Sequence, residues 1–300
     1  MKNEFYFSSK DGKTQIHAME WIPEGEVKAV LQIVHGMVEH IERYDEFASY
    51  LAKKGIYVTG HSHLGHGKSM VSSQKMGYFA EPNGNECVLR DIHSLRKIAQ
   101  EKYPEKPYVM LGHSMGSFLL RQYLGRYGKG LSGAVIMGTG DQPDIVVKAG
   151  KAVCKLIASL KGWEHRSDLV NSFVIGGFEK KMGKAWLSKN EENVKVYAKD
   201  PLSGFVFTLN AFYHMFDGIS KMNAQEKAGI FPKELPMFFV AGDEDPVGAN
   251  GKGVEMVCQR YKDKGAKNVS MKLYAGDRHE ILNELDKAVV YEDLLNWILN

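Results

Sequence analysis

The sequence predicts an α/β protein with a mostly parallel central sheet and helices on both faces. Three observations carry that expectation. Short apolar runs rich in Val and Ile alternate with helically periodic segments through the first 140 residues. The same alternation returns after residue 226, and the stretch between is helical, broken by Gly, Asn and Asp-Pro signals such as Asn171 and Asp200-Pro201. Strands covered on both faces read as unbroken apolar runs, as these do. The chain is therefore expected to form a core from residues 1–140 and 226–300, with a helical insertion over 141–225.

Each element has its own signal. Residues 5–9 and 15–22 form an antiparallel pair around a turn at Asp11-Gly12. Residues 28–35, with AVLQIV at their heart, form a buried strand. A helix over 44–54 stops at Gly55, a residue suited to ending a helix. A strand over 55–60 follows, then a helix over 86–100 with Val88, Ile92, Leu95 and Ala99 on one face. Strands over 107–112 and 133–138 flank a helix over 117–127. After the insertion, which thus enters behind the sixth strand, come a strand at 237–241, a helix at 254–261, a strand at 269–274 and a helix at 285–299.

Composition excludes several classes. Of 300 residues, 44% are hydrophobic and 25% charged, enough apolar material to exclude disorder. The 39 Lys and Arg are diluted by 36 Asp and Glu, and no dense basic block occurs, so no nucleic-acid partner is expected. No apolar run approaches the ~20 residues a membrane span requires. The opening MKNEFYFS lacks a signal-peptide core, so a cytoplasmic location is expected. Cys87, Cys154 and Cys258 are too few and too scattered for a disulfide framework or zinc cluster.

The chemistry is written in short motifs. Gly112-His113-Ser114-Met115-Gly116 has the Gly-x-Ser-x-Gly form, with a strand running into it and a helix leaving it. In that setting small flanking residues let a strained turn hold the Ser114 hydroxyl above the sheet. Serine is a weak nucleophile and needs a base and an orienting acid, which in this arrangement follow in the order Ser, acid, His. Of eleven histidines only His279 lies beyond the last expected strand. For the acid, the loop Gly242-Asp243-Glu244-Asp245-Pro246-Val247 favours Asp245, held by the following proline, with Asp243 as alternative and Asp141 as a more distant one. An oxyanion needs two backbone N–H donors. Met115 directly follows the nucleophile, and Met37 lies in the loop His35-Gly36-Met37-Val38-Glu39-His40 behind the 28–35 strand. Gly36 permits close backbone approach, and His35, Glu39 and His40 are expected to hold the loop by hydrogen bonds. His61, His63 and His66 have the His-x-His-x-x-His spacing of metallohydrolases, but that pattern wants an acid where Gly65 stands, and further ligands later. No metal ligand set is assigned and no cofactor is expected.

Taken together, His35-Gly-Met-Val-Glu-His40, Gly65-His-Gly-Lys-Ser69, Gly112-His-Ser-Met-Gly116, Gly242-Asp-Glu-Asp-Pro-Val247 and His279-Glu-Ile-Leu-Asn-Glu284 stand in family order across nearly the whole chain. In this the chain resembles the monoacylglycerol lipase and lysophospholipase group of the α/β-hydrolases, the serine aminopeptidase-like hydrolases. The resemblance implies the α/β-hydrolase fold, Ser114, Asp245 and His279 as the catalytic triad, Met37 and Met115 as oxyanion donors, and 141–225 as a lid. It implies a serine ester hydrolase acting on a small-molecule or lipid ester, such as a monoacylglycerol or lysophospholipid. The family commonly carries Asp-His-Arg where this chain has Ser62-His63-Leu64, so no ion pair is expected there. A peptidase or acyltransferase would use the same triad, and a non-catalytic binding protein would share the fold without the chemistry.

Substrate choice is expected in the insertion. Residues 197–216 hold Tyr197, Phe205, Phe207, Phe212, Tyr213 and Phe216. At helical spacing, Phe205, Leu209, Phe212 and Phe216 fall on one face, as a contact with the core or as an apolar wall for an acyl chain. The net charge of +3 also sits there: twelve Lys and Arg against nine Asp and Glu over 141–225, with the remainder balanced. A solvated helix surface accounts for this, and a basic, partly apolar face would also suit an anionic membrane surface.

Overall fold

The computed structural model describes residues 1–300. Eight strands form one sheet: β1 (Lys2–Ser8), β2 (Gln15–Trp21), β3 (Ala29–Val34), β4 (Ile56–His61), β5 (Tyr108–His113), β6 (Gly133–Met137), β7 (Met237–Gly242) and β8 (Val269–Tyr274). Their spatial order is β1-β2-β4-β3-β5-β6-β7-β8. The β1–β2 and β2–β4 pairs are antiparallel and the other five are parallel. The central strands β3 to β7 are buried along their whole length, whereas edge strand β1 alternates between exposed and half-buried. This is the α/β-hydrolase fold, with every expected strand present.

Residues alternate across each strand, so successive side chains feed two separate cores. Leu31, Ile33, Val109 and Leu111 pack with Phe47 and Leu51 of α1 (Asp45–Lys53) and with Val290 and Leu294 of the C-terminal helix Lys287–Leu299. Val30, Val34, Met110 and Ile136 face the opposite layer, with α2 (Gly84–Lys102) and α3 (Met115–Tyr127). The chain leaves β3 toward β4 on one side and returns to β5 on the other. That reversal opens a crevice at the C-terminal ends of β3 and β5, the usual ligand position in such sheets. The His35 loop and the Ser114 turn both arise there.

Between β6 and β7 the chain forms α4 (Asp144–Lys161), α5 (Asp168–Asn171), α6 (Gly177–Met182), α7 (Glu191–Lys199) and α8 (Leu209–Ala228). A π-helical turn, Ser172–Gly176, joins α5 to α6. Helix α8 runs past residue 225 and packs against both α3 and α4. Its Glu226 carboxylate accepts from Arg121 of α3 through Nε at 2.7 Å and Nη2 at 2.9 Å, both partners buried. The insertion is thereby fastened to the helix that starts at the candidate nucleophile. No helix is long and apolar enough to cross a membrane.

Candidate active site

Ser114 sits between β5 and α3 with φ +55° and ψ −121°, a conformation that costs a non-glycine residue about 1–3 kcal/mol. The turn is over-determined by its neighbours. A Cβ at Gly112 would stand 2.4 Å from the Gly116 carbonyl oxygen, and one at Gly116 would stand 2.0 Å from that of Val34. Neither position admits a side chain. The Ser114 N–H donates to the Met137 carbonyl at 3.0 Å, and its own carbonyl accepts from the N–H and hydroxyl of Ser117 at 2.8 and 2.6 Å.

His279 Nδ1 lies 3.0 Å from Asp245 Oδ2, with both residues buried. The carboxylate only accepts, so Nδ1 carries the hydrogen and Nε2 is left as the basic nitrogen. Asp245 Oδ1 accepts from the Val247 N–H at 2.9 Å, which fixes its plane. The alternatives for the acid are engaged elsewhere: Asp243 accepts from the Gly276 N–H at 2.7 Å, and Asp141 pairs with Arg260.

The loop behind β3 passes directly against the serine. A Cβ at Gly36 would meet Glu39 Oε1 at 2.6 Å and Ser114 Cβ at 3.1 Å. Met37 and Met115 both border the cavity that holds Ser114. Val38 has φ +52° and is held from below, its N–H donating to His66 Nε2 at 3.3 Å. His35 Nε2 accepts from the His63 N–H at 2.9 Å while its Nδ1 donates to the Gly36 carbonyl at 2.8 Å. His40 bridges Glu42 and Asp200, at 2.7 Å each, and so ties the loop to the turn before α8. Burial dominates the titration of the underlying imidazoles, holding His61 at about 3 and His66 at about 4, with His35 and His63 also well below the ordinary histidine value. The His-x-His-x-x-His spacing thus supplies a layer of neutral loop supports. Ser62, His63 and Leu64 are all buried in it, without an ion pair.

Three buried or half-buried residues to which the sequence assigned no role join these parts. Arg43 donates to Glu39 Oε2 at 3.2 Å and makes two bonds, of 2.7 and 2.8 Å, to the carboxylate of Glu280. Glu280 also accepts from Asn193 of α7 at 2.7 Å. His113 links Glu39 to the His279 carbonyl. Two signals existed: Arg43 stands four residues after Glu39, and Glu280 directly follows His279. Burial would raise the Glu39 pKa, but His113 and Arg43 hold it well below the usual carboxylate range.

Ser114 and His279 open onto one cavity of about 320 Å³. Phe205 and Phe216 lie on its wall, whereas Leu209 and Phe212 do not. The expected four-residue stripe is incorrect because α8 begins only at Leu209, where Thr208 Oγ1 accepts the Ala211 N–H at 3.3 Å. Phe205 precedes the helix, so helical spacing does not relate it to the others. Leu209 and Phe212 are fully buried in the core beside Phe207. The facing wall comes instead from Phe173, Ile175, Phe178, Trp186 and Leu187. Their spacing was hidden by the π turn and its flanking glycines.

Residues 25–286 match the family described as "Serine aminopeptidase, S33". The chain is 25% identical over 311 residues to a monoacylglycerol lipase of Mycolicibacterium smegmatis, covering 100% of this chain and 98% of the other. It is 26% identical over 283 residues to the monoglyceride lipase of Rattus norvegicus, covering 93% and 84%. A solved structure of a highly thermostable carboxyl esterase from Bacillus coagulans superposes with a TM-score of 0.91 at 29% identity, over 99% of this chain and 97% of that one.

Proposed function

The chain belongs to the serine aminopeptidase family and is a monoacylglycerol lipase-like serine hydrolase, and on that premise we propose that it cleaves acyl-chain esters such as monoacylglycerols or lysophospholipids through an acyl-enzyme on Ser114. Ser114 Oγ attacks the ester carbonyl while His279 Nε2 takes its proton. Asp245 orients the imidazole and stabilises its charged form, and the Met37 and Met115 N–H groups hold the oxyanion. The alcohol leaves with the proton from His279, and water then resolves the acyl-enzyme with His279 as base again. One observation carries this reading: the Asp245–His279 pair and the strained Ser114 meet at a single cavity with a largely apolar wall. That wall favours an acyl chain over a charged peptide amine, and residues 141–225 act as its lid.

The same segment is proposed to meet anionic membrane surfaces. Helix α4 exposes Ile145, Leu156 and Leu160 at 78%, 66% and 81%, next to exposed Lys148, Lys155 and Lys161. Apolar insertion with basic residues alongside is the arrangement of an interfacial helix. Binding to vesicles containing phosphatidylserine is expected to weaken as salt rises; binding that ignores salt would remove this part.

A fluorophosphonate probe is expected to label Ser114 in the folded protein and to leave Ser114→Ala unlabelled. A chain-length series of p-nitrophenyl esters, run beside monoacylglycerol, lysophospholipid and aminoacyl amides, is expected to favour long acyl esters. Absence of labelling would refute the hydrolase reading, and faster amide cleavage would replace the lipase by a peptidase.

A further inference from the structure

The ring contacts of His113 fix its charge. Nδ1 lies 3.1 Å from Glu39 Oε1, and Nε2 lies 3.1 Å from the carbonyl oxygen of His279. A carboxylate and a carbonyl only accept, so both nitrogens must carry hydrogen, which in histidine means the imidazolium. Placing the proton on Glu39 instead conflicts with its other partners. Oε1 already accepts from the Gly36 N–H at 2.6 Å and the Tyr44 hydroxyl at 2.9 Å, and Oε2 accepts from Arg43. The same donor count gives the opposite result for His35 and His66, which each have one donor and one acceptor as neighbours and are neutral.

Charge balance agrees. Glu39, Glu280 and Arg43 form a buried group of net charge −1, and an unpaired buried charge is strongly unfavourable. A cationic His113 makes the group neutral.

We propose that His113 is a positioning residue protonated at neutral pH, whose two N–H donors tie the oxyanion loop, through Glu39, to the backbone of the base His279. The proposal rests on the reading of Ser114, Asp245 and His279 as the reacting set. The link is closed on its other side by Arg43, which joins Glu39 to Glu280, the residue after the base. The groups facing His113 are Glu39, Arg43 and Tyr44 from the loop before α1, Glu280, and the His279 imidazole, whose ring centre is 4.8 Å away. Burial alone would lower the His113 pKa, but Glu39 lifts it above the ordinary histidine value.

Long-range proton–nitrogen spectra of the histidine rings test this in the whole protein, with His113 assigned by the signal lost in His113→Gln. Both ring nitrogens are expected to be protonated at pH 7, in the wild type and in Ser114→Ala alike. A single protonated nitrogen would overturn the proposal. Glu39→Gln is expected to return the ring to the neutral form, to move the alkaline fall in kcat to lower pH, and to lower kcat about 10²-fold with little change in KM, as for a misplaced reacting group. An unchanged pH profile and kcat in that variant would equally overturn it. The spectra report on His113 whatever the nucleophile is, whereas ester cleavage surviving in Ser114→Ala would sink the hydrolase reading alone.

Discussion

At Gly36 one methyl group decides whether the site can form. A Cβ there would intrude on Glu39 Oε1 and on the Ser114 side chain together, and Glu39 is held by four donors and cannot retreat. Gly36→Ala is therefore expected to lower kcat by about 10²- to 10³-fold, the loss typical of a displaced oxyanion donor, and to lower the melting temperature by an amount consistent with about 1–3 kcal/mol of overpacking. Steady-state kinetics beside a thermal melt would check this, and full activity in the variant would remove the loop from the mechanism. His279→Ala is expected to lose at least as much, because it removes the proton acceptor outright. Ser114 and His279 stood out in the sequence as the proposed nucleophile and base, since a motif between strand and helix and the order of the chain single them out. The acid was less so: Asp243 and Asp245 differ by two positions in one loop, the following proline and the family resemblance favoured Asp245, and the fold brings that residue to His279. Arg43 and Glu280 stand 237 positions apart, so their pairing had no local signal.

At the scale of the element, the end of β4 and the turn behind it act as a support layer for the oxyanion loop. His63 Nε2 donates to the His35 carbonyl at 3.2 Å, so its Nδ1 accepts from His61 Nε2, also at 3.2 Å, and His61 Nδ1 is left without a partner. Every ring in the layer is thereby neutral. The folded pKa values of His61 and His66, about 3 and about 4, lie below the ~6.5 of an unfolded histidine. Between those limits the unfolded chain binds more protons, so stability is fully present above about pH 6.5 and falls as pH drops through the folded values. Unfolding free energies from urea titrations at pH 7 and pH 4.5 are expected to differ by on the order of 1 kcal/mol or more per buried imidazole. His61→Gln should show a smaller difference, and a variant with the wild-type pH response would show that His61 is not among the groups responsible. The sequence presented these histidines as a spacing pattern. Their role came from the rings packing edge-on or tilted beneath a loop that starts 26 positions earlier, at His35.

Across the whole molecule, the most deeply buried ion pair between the chain segment that joins β6 to β7 and the core is that of Glu226 with Arg121. Arg121 and Glu226 bond twice, Arg121 also donates to Thr139 Oγ1 and the Gly140 carbonyl at 3.0 Å each, and Arg260 and Tyr261 donate to Glu226. Removing one partner of such a pair leaves an uncompensated buried charge and costs about 3–5 kcal/mol. Glu226→Ala is expected to lose that much in equilibrium unfolding, while Arg121→Met with Glu226→Leu should recover part of it. A loss below about 1 kcal/mol for Glu226→Ala would mean that the two parts are held together elsewhere.

By itself the sequence determined the strand and helix order and the strained turn at Ser114, because each is set by local periodicity or by glycines that a short motif carries. It also singled out His279 as the proposed base, since the order of loops along the chain follows from the order of strands. Only the tertiary structure decided which aromatic residues face the cavity, which residues join the Glu39 loop to His279, and which histidines are charged. Those outcomes depend on contacts between segments far apart in sequence. There the start of a helix, the burial of a ring or the identity of one acceptor atom changes the chemistry of a residue without changing the local pattern around it.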